Sequence, residues 1–438
     1  MRKLLPLVIG IALGSFSSLA AADDLAQVYN QAKENDPQLL RAAANKDAAF
    51  EAVNSSQSSL LPQINLTAGY NILRSDMDSR ENDRLNAGVS LSQELYQRSS
   101  WVSLDIAEKS ARQADSAYAA EQQGVILRVA QAYFDVLRAN DNLEFVRAEK
   151  AAVARQLEQT KQRFDVGLSA ITDVHDAQAQ YDSVLANEVL TENQLVNSYE
   201  ELRVITGQGH TELSVLDTDR FSASPSEQSS DSLIDEAQQK NLSLLAARIS
   251  TDVAKDNISL ASSGHMPSLT LDAGYNYTDQ SNSAQDYNAS DINAGINLVV
   301  PLYTGGNITS QTNQAQFKYV AASQDLEATY RDVTRNVRAY NNNINASIGA
   351  LKAYEQTVIS ANSALEATEA GFDVGTRTIV DVLDSTRRLF DANRNLANAR
   401  YDYILSVLQL KQAVGTLSEQ DVVDINMGLK ASKTTQAK

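Results

Sequence analysis

The segment Leu61-Pro62-Gln63-Ile64-Asn65-Leu66-Thr67-Ala68-Gly69-Tyr70 recurs further along the chain as Met266-Pro267-Ser268-Leu269-Thr270-Leu271-Asp272-Ala273-Gly274-Tyr275. In the first copy Ile64, Leu66, Ala68, Tyr70 and Ile72 alternate with Asn65, Thr67, Gly69 and Asn71. A period of two puts these sets on opposite faces of a strand. Two more landmarks repeat in the same order. Leu85-Asn86-Ala87-Gly88 returns as Ile292-Asn293-Ala294-Gly295, and Phe164-Asp165-Val166-Gly167 returns as Phe372-Asp373-Val374-Gly375. The offsets of 205, 207 and 208 drift only as far as small loop insertions would move them. The chain therefore reads as two tandem copies of one unit.

Each unit runs helix, strand, strand, long helix, sharp turn, shorter helix. The first copy is expected over 23–218 and the second over 232–428. Between them lies a polar linker at 219–231, and a polar, frayed tail covers 429–438. Strands are expected at 62–73, 84–96, 267–278 and 290–302. All four are two-faced, with polar loops inside each pair. Segments of about 10 residues match the length of a tilted outer-membrane strand. The competing reading is a soluble sandwich with one apolar face packed inward. Four strands are too few to close a channel, and lipid does not tolerate an open sheet edge. A membrane location thus requires several chains. Three would supply 12 strands, although the arithmetic also admits four.

Residues 101–165 contain no proline and one glycine, Gly124. A continuous helix there would reach about 98 Å at the standard rise. Its counterpart, 307–373, also lacks proline. The returns, 171–206 and 377–414, cover only about 55 Å each. Continuous helices at 25–59 and 231–263, stacked on the returns, would supply the missing length. The expected fold is mixed α and β: a 12-stranded outer-membrane barrel, four strands per chain, continued by a long periplasmic helical cylinder.

Arg2 and Lys3 precede the apolar run Leu4–Phe16, and Ala20 and Ala22 stand at the spacing a signal peptidase reads. Residues 1–22 read as a secretory signal, with Asp23 as the new terminus and cleavage after Ala20 or Ala21 as close rivals. The net charge of -18 becomes -20 once Arg2 and Lys3 are removed. So acidic a chain argues against nucleic acid as a partner. The absence of cysteine excludes disulfides, a thiolate nucleophile and a lipid anchor on cysteine. His175, His210 and His265 form no metal-ligand motif. Gly305-Gly306 lacks the rest of a phosphate loop, and no nucleophile arrangement is recognisable. The reading is therefore not an enzyme, with no cofactor and any energy source in a partner.

Gly167 and Gly375 each interrupt a very long helix, as glycine does where the chain turns left-handed. Asp381 and Asp384 are three apart and share a helix face. Threefold repetition would stack them into two rings of three carboxylates, each raising the others' pKa. Such rings would favour cations and form a cation-binding constriction. Arg377 sits one turn before Asp381, within reach of an i,i+4 contact.

On Phe164-Asp165-Val166-Gly167-Leu168-Ser169-Ala170-Ile171-Thr172-Asp173-Val174 and Phe372-Asp373-Val374-Gly375-Thr376-Arg377-Thr378-Ile379-Val380-Asp381, the chain resembles the outer-membrane channel-tunnels of the outer membrane efflux protein family. The likeness covers nearly all of the mature chain. It implies a homotrimer in the outer membrane that docks a periplasmic adaptor (membrane fusion) protein. It also implies an inner-membrane transporter of RND, ABC or MFS type, with drugs and proteins as exported cargo. Gly167, Leu168, Gly375 and Thr376 would be the adaptor-docking turns. Thr172, Asp173, Phe372, Arg377, Asp381 and Asp384 would form the entrance and gate, with Arg377 linked to Thr172 and Asp173. Phe372 departs from the family pattern, which has a tyrosine there; the ring remains but the hydroxyl donor does not. The rival functions are a soluble helical-hairpin adaptor and an envelope structural protein without a pore.

Overall fold

A computed structural model describes residues 22–74, 82–225, 228–282 and 286–430. The proposed signal therefore lies outside the described residues except for Ala22, as does the tail from 431 onward. The first repeat holds α1 (Leu25–Asn35), α2 (Pro37–Ser58), β1 (Gln63–Leu73), β2 (Asn82–Gln97), α3 (Arg98–Asp165) and α4 (Ile171–Thr206). After β3 (Val215–Leu216), the second holds α5 (Ser230–Lys240), α6 (Leu242–Ser262), β4 (Ser268–Asn282), β5 (Tyr287–Val299), α7 (Asn307–Asp373) and α8 (Ile379–Val414). The described chain closes with α9 (Glu419–Asn426) and β6 (Leu429–Lys430).

The four long strands form one antiparallel sheet in the order β1-β2-β4-β5. Pairing of β2 with β4 joins the two repeats. The outer edges of β1 and β5 have no strand partner among the described residues. Among the described residues no second layer covers the apolar face: Leu66 is 77% exposed and Ile292 84%. That rules out the sandwich, whose apolar face would be buried. The opposite face is small and polar. Ser92 donates to Asp272 at 2.8 Å, and the Asn276 side chain lies where a Cβ on Gly88 would stand.

Proline sets the strand limits that the alternation alone misplaced. Pairing begins after Pro62 and Pro267, and it stops at Val299, two residues before Pro301, instead of running to 302. Each proline lacks the N–H a ladder needs. At their other ends β2 starts at Asn82, β4 runs on to Asn282 and β5 starts at Tyr287. The strands extend into polar loop sequence because neighbouring ladders pair that backbone. β2 passes into α3 with no loop, through a register shift between Glu94 and Tyr96. There the Ser100 hydroxyl donates to Glu94 at 2.7 Å. β5 reaches α7 through Gly305 and Gly306, both at positive φ.

α3 and α7 run 68 and 67 residues, about 100 Å each. α2 packs along the half of α3 near the sheet and α4 along the other half; α6 and α8 do the same for α7. α3 also touches α6 and α8, which forms the seam between repeats.

The N-terminal helices are not continuous over 25–59 and 231–263. Each breaks once, at Asp36 and at Asn241. Asp36 caps α2 by accepting from the Gln38 N–H at 2.7 Å, Pro37 holds the first helical position, and Arg128 pairs with the second Asp36 oxygen at 2.6 Å. Asn241 caps α6 at Leu244 and donates to the Ala413 carbonyl at 2.8 Å. Aspartate before proline disfavours helical backbone, a signal the helical periodicity overrode.

Around these breaks lies a belt. Its core includes Leu25, Val28, Tyr133, Phe134, Tyr401 and Leu408. The Asp23 N–H donates to the Glu212 carbonyl at 3.0 Å, and β3 pairs with β6. Leu429 and Lys430 are thus strand rather than frayed tail, tied by backbone pairing and by Lys430 to Asp217 at 3.1 Å. The linker is shorter than 219–231 because Ser229 caps α5 at Ser230. It is also packed: Phe221 meets the Tyr403 ring edge-on, and the Tyr403 hydroxyl bonds both the N–H and the carbonyl of Ser224.

Candidate entrance at the hairpin tips

The two long hairpins end in the same turn, built by the same hydrogen bonds. In the first, Leu168 N–H donates to the Arg163 carbonyl at 2.8 Å and Gly167 N–H to Phe164 at 2.9 Å. In the second, Thr376 N–H donates to Gly371 at 2.8 Å and Gly375 N–H to Phe372 at 3.1 Å. These paired bonds satisfy the last carbonyls of a helix and require a left-handed residue. Gly167 and Gly375 supply it, at φ 76° and 77°. Leu168 and Val374 stand 73% and 75% exposed, so both tips offer apolar side chains beside their glycines.

The returning helices also start alike. The Asp173 carboxylate accepts from Ala170 N–H at 3.2 Å and the Ser169 hydroxyl at 2.6 Å. Asp381 accepts from the N–H and the hydroxyl of Thr378, both at 2.9 Å, while its own N–H donates to that hydroxyl at 3.3 Å. Each aspartate sits at the third helical position, where it satisfies donors that the helix leaves open. The Thr378 N–H, followed by its hydroxyl, holds Asp381 below the usual carboxylate range. Those hydrogen bonds lie within one chain, whereas the mutual raising expected of a carboxylate ring would act between copies.

Asp381 and Asp384 do share a face. With Asp176 and Gln180 of α4 they line a cleft between α4 and α8, flanked by Leu383 and Arg387. Asp384 is bracketed on its own helix by Arg387 at 2.6 Å and Arg388 at 2.7 Å. Among the described residues no three His, Cys, Asp or Glu side chains are grouped to hold a metal.

Arg377 is not brought to Thr172 or Asp173 within the chain. Its aliphatic stem folds over Gly371, where a Cβ would lie 2.8 Å from the Arg377 Cγ. Its nearness to Asp381 acts only as a weak field that helps lower that carboxyl. Phe372 is half-buried against a small core that includes Leu157, Ile379 and Leu383 and pins the tip of α8 to α3. The Arg163 guanidinium lies 4.5 Å from its ring centre. Arg163 escaped the sequence reading because its partners are more than two hundred residues away and share no motif with it. Asp176 was more accessible, one turn beyond Asp173. Of the histidines, His175 and His265 are exposed. His210 is a buried structural residue between Asp23 at 2.8 Å and Thr206 at 3.1 Å.

The chain matches the family described as "Outer membrane efflux protein" over residues 28–208 and 233–416, one segment in each repeat. It is 74% identical over 439 residues to "Outer membrane protein TolC" of Vibrio cholerae serotype O1, spanning 99% of this chain and 100% of the relative. It is 28% identical to "Alkaline protease secretion protein AprF" of Pseudomonas aeruginosa, over 96% of this chain and 90% of the relative. Among solved structures, that of CusC superposes with a TM-score of 0.79 at 16% identity, over 90% of this chain and 92% of the other. At that identity the likeness speaks for the fold.

Proposed function

Because this chain belongs to the outer membrane efflux protein family, we propose that three copies close one duct, opened at the helical tips by a periplasmic adaptor and an inner-membrane pump. The protein is an outer-membrane exit duct for efflux and protein secretion, and the helices extend from the barrel into the periplasm. The single observation that carries the assembly is the sheet, with a bare apolar face and two unpaired edges. A bilayer solvates the face but not the edges, so β1 of one copy pairs with β5 of the next. Three copies give 12 strands and a water-filled lumen lined by the Asn, Ser, Thr and Gly face.

The same edges continue into helices. β1 follows α2, and β5 leads into α7, so each seam between copies runs from barrel to tip. At the tips, threefold repetition brings three copies of the Asp381–Asp384 face around the axis and makes the cleft carboxylates a cation-attracting entrance. Arg377, without an ionic partner among the described residues of its own chain, is placed to reach Thr172 and Asp173 of a neighbouring hairpin. The exposed Leu168 and Val374 beside Gly167 and Gly375 suit docking of an adaptor's helical hairpin. The similarity to a protease secretion protein extends the cargo to proteins. Energy comes from the pump, which the RND, ABC or MFS classes would supply.

Single-channel recording of detergent-extracted protein in planar bilayers tests this reading. Discrete, cation-preferring conductance is expected. Asp381→Ala with Asp384→Ala should weaken the cation preference. Stable insertion without conductance in these forms and also in Arg377→Ala, which removes a contact of the closed entrance, would refute the duct.

A further inference from the structure

We propose that Arg163 is a latch, a positioning residue that ties the α7–α8 turn to the end of α3 and holds the entrance shut. The inference rests on the reading of the tips as the gate. Arg163 stands in the last turn of α3, and its carbonyl receives the Leu168 N–H that closes the first hairpin turn. Its guanidinium crosses to the second hairpin and lies over the face of Phe372, 4.5 Å from the ring centre. Its Nη1 is 3.5 Å from the Asp373 carboxylate, and Gln159, one turn earlier, approaches the same oxygen at 3.5 Å. One cation thereby engages two consecutive residues of the opposite tip, by ring face and by charge.

The repeat shows why the latch exists on one side only. Arg163-Phe164-Asp165 in the first copy corresponds to Gly371-Phe372-Asp373 in the second. Where the first copy carries a cation, the second carries no side chain, and the Arg377 stem fills that space. The two arginines therefore have different reach: Arg163 bonds within its chain, and Arg377 is left for a neighbour. Phe372 is a suitable strike plate because the core of Leu157, Ile379 and Leu383 fixes its ring. A cation over an aromatic face is attracted by the ring quadrupole whether or not the ring bears a hydroxyl. The contact is modest in a part-exposed site, but three copies act on one opening.

Arg163→Met keeps the stem and removes the cation; Phe372→Leu keeps apolar packing and removes the ring face. Both variants, their double mutant, Arg163→Lys and Arg377→Ala would be purified as trimers and recorded in planar bilayers. Each of the first two should raise the open fraction about tenfold to a hundredfold, as loss of three such contacts implies. The double mutant should do no more than the stronger single, because both remove one interaction. Arg163→Lys should retain part of the closure. Trimeric Arg163→Met with native gating, or additive singles, would overturn the latch. If Arg377→Ala opens the duct and Arg163→Met does not, the latch falls and the duct stands. If no form conducts, both fall.

Discussion

The carboxylate of Asp381 accepts from the backbone N–H and the hydroxyl of Thr378, each at 2.9 Å, so a residue expected to guard the entrance also starts helix α8. Substituting Asp381 therefore changes two properties, charge at the axis and order at the tip, whereas Asp384 pairs with Arg387 and Arg388.

Thr378→Ala should separate the two. It removes the cap and leaves both carboxylates, at a cost of about 1 kcal/mol to the start of α8. Hydrogen exchange at the Asp381 and Val382 amides should accelerate at fixed pH, while cation preference in bilayers should survive. Unchanged exchange would mean that the cap contributes nothing to order. Because Asp381 is held below the ordinary carboxylate range, its stabilisation is present above the unfolded carboxyl value and fades as pH falls through the lowered one.

Asp141 should act with the opposite sign. Burial in the α3–α8 seam raises it to about 6, despite the Tyr401 hydroxyl donating at 2.6 Å. A raised carboxyl favours the folded state below its unfolded value, and that support is lost as pH rises through the folded one. The cost at neutral pH is about 3 kcal/mol. The denaturation midpoint should therefore fall between about pH 4 and 7, and Asp141→Asn should flatten that slope. An unchanged slope in Asp141→Asn would place the titration elsewhere.

Two related glycines should respond unequally. Gly207 and Gly415 end α4 and α8 at φ 71° and 88°. A Cβ at Gly207 meets the Asn35 side chain at 3.4 Å, in ordinary contact, but at Gly415 it would strike the Lys240 carbonyl. Gly207→Ala should cost about 1–2 kcal/mol, the backbone penalty alone. Gly415→Ala should cost clearly more, read as the larger loss of denaturant resistance. Equal losses would show that the belt yields to admit the methyl group.

The seam between copies can be trapped directly, because the chain has no cysteine. Leu185 lies fourteen residues past Ile171, where α4 begins, and Ile359 lies fourteen before Asp373, where α7 ends. Both are exposed and stand about 21 Å from the tip. Near the barrel, exposed Phe50 and Phe317 are level within about 3 Å on α2 and α7. A chain carrying Leu185→Cys with Ile359→Cys should cross-link into dimers and trimers on denaturing gels, and either single variant should not. Cross-linking by a single variant would indicate a two-fold interface, which cannot close a three-membered ring.

Local rules carried much of the fold. Alternation marked four strands and their two faces, the long proline-free stretches marked α3 and α7, and Gly167 and Gly375 marked the turns. These features depend on a residue and its near neighbours, so spacing alone reveals them. Prolines at 37, 62, 267 and 301 were equally legible but were outweighed by periodicity, and the break at Asp36 and the strand ends beside Pro62, Pro267 and Pro301 were misplaced for that reason.

What the sequence did not specify are the partners across distance. The belt unites Asp23, Glu212 and Lys430 through backbone pairing, which leaves almost no trace in side-chain pattern. Asp381 and Asp384 take local partners, Thr378 for one and Arg387 and Arg388 for the other, whereas the cleft they share with Asp176 and Gln180 of α4 exists only in the folded tip. Arg163 looks like any surface cation until folding sets it over Phe372, four helices further along the chain. Helix and strand arise from short-range sterics and periodic burial, while contacts such as these form only after α3, α7 and α8 have packed into one tip.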